Sequence, residues 1–203
     1  MRISHSELEA CRRDVSRWVA AKLNPAAGPR AGYAGMTKLA IYKFHATGDA
    51  DTARDHLRAL LGRFGDTGKK LSAEYQLDAY IDWAEREGLI VADRKVRLGF
   101  DLGSGLLLGG EVSRVDVDLQ GGYRAVLLGA CDPDWRDELR TPLLQRAVAR
   151  HFAREEGEVS IGVQELDGGD LQTVRYSEAE IDAAEARARI VAAQLAREFE
   201  RQS

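Results

Sequence analysis

The feature that most constrains this chain is a change of period in its middle. Before about residue 90, apolar residues recur at three- and four-residue spacing, the repeat of helices that bury one face. Val96–Leu102, Leu106–Leu119 and Tyr123–Leu128 instead read as consecutive strands. The turns between them hold Gly103-Ser104-Gly105 and Gly121-Gly122, which suit a hairpin meander. A helix follows over Thr141–Arg154, then a second hairpin, Glu158–Leu166 with Leu171–Tyr176, and a last helix from about Ser177. Helices, meander, helix, hairpin and helix in that order predict one α/β domain over residues 1–203. Its helical part is 1–90, and 91–203 supplies the sheet core and C-terminal helices.

The helix starts are marked by chemistry. Ser4-His5-Ser6-Glu7 and Ser6-Glu7-Leu8-Glu9 both fit a capping box, in which the hydroxyl accepts from an orphan backbone N–H. Leu8, Cys11, Val15, Trp18 and Val19 then form one apolar stripe, so a single opening helix is expected. Pro25 to Gly35 reads as a loop, followed by helices over Thr37–Thr47, Asp51–Phe64 and Leu71–Glu87, with Gly88 as a stop. Ser177-Glu178-Ala179-Glu180 caps the last helix, whose stripe runs through Ile181, Ala184, Ala188, Val191, Leu195 and Phe199.

Composition excludes several classes. The chain is 44% hydrophobic and 31% charged, and charges interrupt every apolar run well short of bilayer length. The polar start, with no signal-peptide pattern, makes a cytoplasmic location the expectation. Cys11 and Cys131 are far apart in sequence and form no metal-spaced pair. A G-x-x-x-x-G-K-[ST] phosphate loop, a G-x-S-x-G elbow and an H-E-x-x-H helix are all missing. The net charge of −4 conceals an asymmetry: residues 1–45 carry +5 and the remainder −9. A basic segment on an acidic body could meet a phosphate backbone, or could dock on that body as a solvated helix face.

On these residues the chain resembles the RecB-like branch of the PD-(D/E)XK nucleases. Ile3-Ser4-His5-Ser6-Glu7-Leu8-Glu9-Ala10-Cys11 is similar to that family's opening helix, with Arg12 where Pro is usual. Phe44-His45 before Gly48-Asp49 resembles the segment where the family places a metal-binding His. Gly110-Glu111-Val112-Ser113-Arg114-Val115-Asp116 parallels its G-x-x-D-R-x-D strand. Thr141-Pro142-Leu143-Leu144-Gln145 resembles the helix after the core, with Ala149 where a Tyr often follows. The resemblance implies a restriction-endonuclease-like core: a central mixed β-sheet flanked by helices, with an N-terminal helical segment.

It also implies a chemistry that the residues do not supply. In the family, carboxylates hold a divalent ion that activates water, and a nearby lysine stabilises developing charge. The first acidic position is here Ser113, and the following Asp/Glu-x-Lys would fall on Leu127 and Gly129 or on Leu128 and Ala130. Strand alternation puts Ser113 and Asp116 on opposite faces unless a bulge intervenes, which leaves Glu111 as the candidate for a migrated ligand. Asp132 and Asp134 flank Pro133 in what reads as a turn. No metal is expected, except Mg²⁺ or Mn²⁺ if a rearranged site survives. Two cysteines cannot hold the four-cysteine iron–sulfur cluster that some relatives carry.

Three functions follow as expectations. The first is a catalytically degenerate binding module for DNA, RNA or a protein partner, with a vestigial pocket of His45, Glu111, Ser113, Asp116 and Gln145 and phosphate contacts from Arg12, Arg13, Arg17, Lys43 and Arg114. The second is an active nuclease with a rearranged site using His45, Glu111 and Asp116 or Asp132. The third is a structural subunit of a multiprotein assembly, docked through the Ala-rich last helix. No membrane partner is expected.

Overall fold

The computed structural model describes residues 1–24, 32–103, 105–118, 121–129, 133–166 and 169–202. In chain order the elements are β1 (Arg2–Ser4), α1 (His5–Arg13), α2 (Val15–Leu23), α3 (Tyr33–Thr47), α4 (Ala50–Leu61) and α5 (Thr67–Arg86). Then come β2 (Val91–Asp101), β3 (Leu107–Val117), β4 (Tyr123–Leu128), α6 (Arg140–His151), β5 (Val159–Gln164), β6 (Gln172–Val174) and α7 (Glu178–Gln202). The loop expected from Pro25 lies mostly outside the described residues, as do Cys131 and Asp132.

Local chemistry sets the helix boundaries. Ser4 Oγ accepts from the Glu7 amide at 3.2 Å while Glu7 accepts from the Ser4 amide at 2.7 Å, so the first expected capping box forms. The single opening helix is corrected to two, because extended Asp14 ends α1 and its carboxylate caps α2 through the Arg17 amide at 2.9 Å. Ser177 and Glu180 make the reciprocal bonds expected at the start of α7. Pro142 sits in the third helical position, not the first, because α6 begins at Arg140.

The sheet is mixed, with β3 at its centre. β2 runs antiparallel along β3 from Asp101 opposite Leu107 to Val91 opposite Asp116. The other edge of β3 is divided. Parallel β1 pairs with Leu107–Gly109, a contact too short to read from sequence, and antiparallel β4 pairs with Arg114–Val117. Parallel β5 follows β4 after the α6 crossover, and β6 closes that edge.

Helices cover both faces. On one, Ile41, Phe44, Leu57, Leu77, Tyr80 and Ile81 from α3–α5 pack with Val126 and Leu128. On the other, α6 brings Leu144, Ala147 and Val148 onto Val96, Leu98, Val112, Val115, Ala125 and Ile161. A third cluster joins Ile3, Leu8, Cys11, Phe100 and Leu102 to Ala184, Ala188, Val191 and Leu195 of α7. The apolar stripe of α7 is therefore core of this chain, and its alanines permit the close approach of α1.

Candidate functional site

The divided edge of β3 creates the site. β1 leaves after Ser4 into α1, and the β4 ladder ends at Val126 opposite Arg114. Among the described residues, 110–113 therefore lack a strand partner on that side, and the ends of β1 and β4 diverge around them. Ligands favour such points, where neighbouring chain segments part and leave a crevice at a sheet edge. The Ser113 hydroxyl partly fills the notch by accepting from the Leu128 amide at 3.0 Å, which satisfies a donor the ladder abandons.

A cleft of about 360 Å³ opens over this notch. Glu111 and Ser113 form its floor, and Leu127, Leu128 and Gly129 form the wall at the end of β4. Lys38 and Tyr42 reach in from α3, His5 from the start of α1, and Arg140 from the start of α6. Gly129 has φ 123°, and a Cβ there would lie 3.2 Å from Lys38 Nζ, so glycine both permits the backbone turn and leaves room for the ammonium. A neighbouring cleft of about 450 Å³ shares His5 and Glu111 and adds Arg2 and Arg97. Glu111 is 3.7 Å from Arg97.

The electrostatics favour an anion. Burial lowers the pKa of the Lys38 ammonium, with Glu111 opposing the shift. Burial raises the Tyr42 phenol, which also interacts with Ser113 and Glu111. His5 is pushed from 6.5 to about 4, first by burial and then by Arg140. The Arg140 guanidinium faces His5 Nδ1 at 3.4 Å and the Glu111 backbone engages the ring, so the imidazole is neutral near pH 7. A hard divalent ion fits this donor set poorly: among the described residues, one carboxylate and the Ser6, Tyr42 and Ser113 hydroxyls share the space with two cations. Among the described residues no three His, Cys, Asp or Glu side chains cluster to hold a metal.

The structure brings Glu111 and Ser113 together and sends the other expected pocket residues elsewhere. His45 Nε2 lies 2.8 Å from the Tyr80 hydroxyl. That hydroxyl accepts from Arg114 Nη1 at 2.7 Å, so its proton points to the imidazole. Burial, then Arg114 and Arg94, hold the His45 pKa at about 4. Gln145 is buried against backbone: it donates to the carbonyls of Glu156 and Tyr176 and accepts from the Tyr176 amide, each at 2.9 Å.

Asp116 is buried, accepting from Arg114 at 2.7 Å and Arg124 at 3.2 Å. Its expected position on the face opposite Ser113 is corrected. Val112 and Val115 belong to the same α6-facing cluster, and residues three apart share a face only where alternation breaks. The break follows Ser113, so Arg114 and Asp116 point to the α3–α5 side, where Arg114 meets Tyr80. On β2 the matching break is Lys95, a non-glycine residue at φ 53°, bracketed by the pairs Arg94–Arg114 and Val96–Val112.

The expected phosphate contacts also change. Arg114 is fully buried: it donates to Asp116, Tyr80 and Gln164 and stacks 5.0 Å from the Trp83 ring centroid, so it is withdrawn as a phosphate contact. Arg12 is committed to Glu9 at 2.9 Å and lines another cleft with Arg136 and Arg187. Arg13 and Arg17 are exposed, Lys43 is half-buried on α3, and none of the three lines the notch. The cations that do, Lys38 and Arg140, carry no local sequence signal. They meet only because the sheet carries one face of α3 and the start of α6 to the same cleft.

No family model matches the chain, and no curated protein matches it. Among solved structures, a protein from Eubacterium rectale described as a "Putative exonuclease" superposes over 100% of this chain and 82% of its own, with a TM-score of 0.62 at 10% identity. That similarity is one of fold: an α/β architecture with a mixed central sheet flanked by helices. The structure of SSO0001 covers 90% of this chain and 85% of its own at a TM-score of 0.35 and 8% identity, too distant to support an argument.

Proposed function

We propose that this chain is a catalytically degenerate nuclease-fold protein of the PD-(D/E)XK type that binds a nucleic-acid strand in the notch without hydrolysing it. One observation carries the reading. The cleft over the sheet gap has Lys38 and Arg140 on its walls but, among the described residues, Glu111 as its one carboxylate, and Leu127, Leu128 and Gly129 face it from the end of β4. Cations and neutral hydroxyls favour a phosphodiester, whereas metal-assisted hydrolysis needs more carboxylate than the described residues bring to the cleft. Lys38 supplies a partly desolvated point charge and Arg140 a planar donor fork, both suited to phosphate oxygens.

The test is fluorescence anisotropy with labelled single- and double-stranded DNA and RNA over a salt series, alongside cleavage assays in Mg²⁺ and Mn²⁺. The expected result is binding that falls steeply with salt, weakens in Lys38→Ala, and is accompanied by no cleavage. No binding of any substrate at low salt would refute the reading and favour a protein partner. Metal-dependent cleavage that disappears in Glu111→Ala would instead establish the rearranged nuclease.

A further inference from the structure

The backbone at Lys95 is the least comfortable in the sheet. A residue with a Cβ at φ 53° in mid-strand is disfavoured, and such outliers persist where the surroundings or a ligand require them. The break in alternation needs a left-handed residue at this point, yet glycine would meet that need without strain. Lysine is found there, and it is exposed, so burial does not explain the choice.

Its surroundings do. Lys95 lies opposite Ser113, since its neighbours pair as Arg94–Arg114 and Val96–Val112. Its ammonium lies over the Tyr42 ring, 6.0 Å from the centroid, and Tyr42 lines the notch. Arg97, two residues along β2, lies 3.7 Å from Glu111. Arg94 is near enough to lower the pKa of His45 on α3. The break thus gathers Arg94 and Lys95 on the α3 side of the sheet, where regular alternation would have separated them.

Resting on the reading of the notch as a nucleic-acid site, we infer that Lys95 is a further binding residue. Its ammonium takes a phosphate of the strand where that strand leaves the notch over Tyr42, and the left-handed backbone aims it there. The ligand therefore spans at least two phosphates, one at Lys38 and Arg140 and one at Lys95.

The test compares wild type with Lys95→Gly, Lys95→Ala and Lys95→Arg, using a labelled single-stranded DNA oligonucleotide and urea denaturation. Lys95→Gly is expected to unfold at higher urea than wild type, because glycine adopts this backbone freely, and Lys95→Ala is not. Both are expected to bind about five- to tenfold more weakly at low salt and to lower the salt slope by about one, while Lys95→Arg retains binding. Wild-type binding that Lys38→Ala weakens and Lys95→Gly leaves intact would overturn this inference alone. A glycine variant no more stable than wild type would overturn the strained placement of the lysine. A wild type that binds no oligonucleotide would overturn both this inference and the function it rests on.

Discussion

Mild acid is expected to weaken this fold through two histidines. His5 and His45 both have pKa values lowered from 6.5 to about 4, so between those limits the unfolded chain takes up a proton at each site that the folded chain refuses. A lowered histidine pKa contributes stability that is complete above 6.5 and lost as the pH falls towards 4. By pH 5.5 each site costs about 1.4 kcal/mol relative to pH 7.5, or about 3 kcal/mol for the pair. Against the usual 5–15 kcal/mol of a domain, roughly, that is a large share.

The cause is structural at both sites. Protonated His45 would turn a second donor onto the Tyr80 oxygen that already accepts from Arg114, and protonated His5 would face the Arg140 guanidinium at 3.4 Å. Urea denaturation followed by tryptophan fluorescence at half-unit steps from pH 7.5 to 5.5 measures the loss. His5→Gln and His45→Gln should each remove about half of it. A wild-type stability that stays flat over this range, or variants that keep the full slope, would refute the reasoning. Depressed carboxylates such as Glu7 and Glu185 lose their contributions at lower pH, outside the window.

Three substitutions probe the same region. Ser113→Ala strands the buried Leu128 amide and should cost about 1–3 kcal/mol in urea denaturation. Arg114→Met leaves Asp116, Tyr80 and Gln164 with unmet partners and should cost about 3–5 kcal/mol, read the same way. Glu111→Gln removes the one carboxylate that the described residues bring to the notch and should tighten oligonucleotide binding while producing no cleavage, as measured by anisotropy and gel assay.

What could be read from the sequence was whatever local chemistry decides. The meander, the capping boxes at Ser4 and Ser177, and the α7 stripe follow from spacing, turn residues and hydroxyls. Strand β1 could not be read, because three residues become a strand only by pairing with β3, which lies beyond α1–α5 and β2 in the chain. The left-handed break at Lys95 was hidden because lysine does not advertise such a backbone as glycine would. That break misplaced Asp116, whose face was deduced from regular alternation. Arg114 looked like a surface cation, although its apolar neighbours Val112, Val115 and Val117 with Asp116 two places on were a signal for a buried pair. Lys38, Tyr42, His5 and Arg140 were invisible as a group, since nothing local links three helix faces.

The hydrogen bond from the Leu128 amide to Ser113 gives the notch its own reporter. Most amides of a central sheet exchange with solvent only when the ladder around them opens. This one is held by a side-chain hydroxyl on the floor of the cleft, so rotation of a single serine releases it without disturbing a strand. Its deuterium uptake should therefore follow events in the notch rather than unfolding of the sheet. A ligand seated over Ser113 would slow that one amide while leaving those of Ala125 and Val126 unchanged.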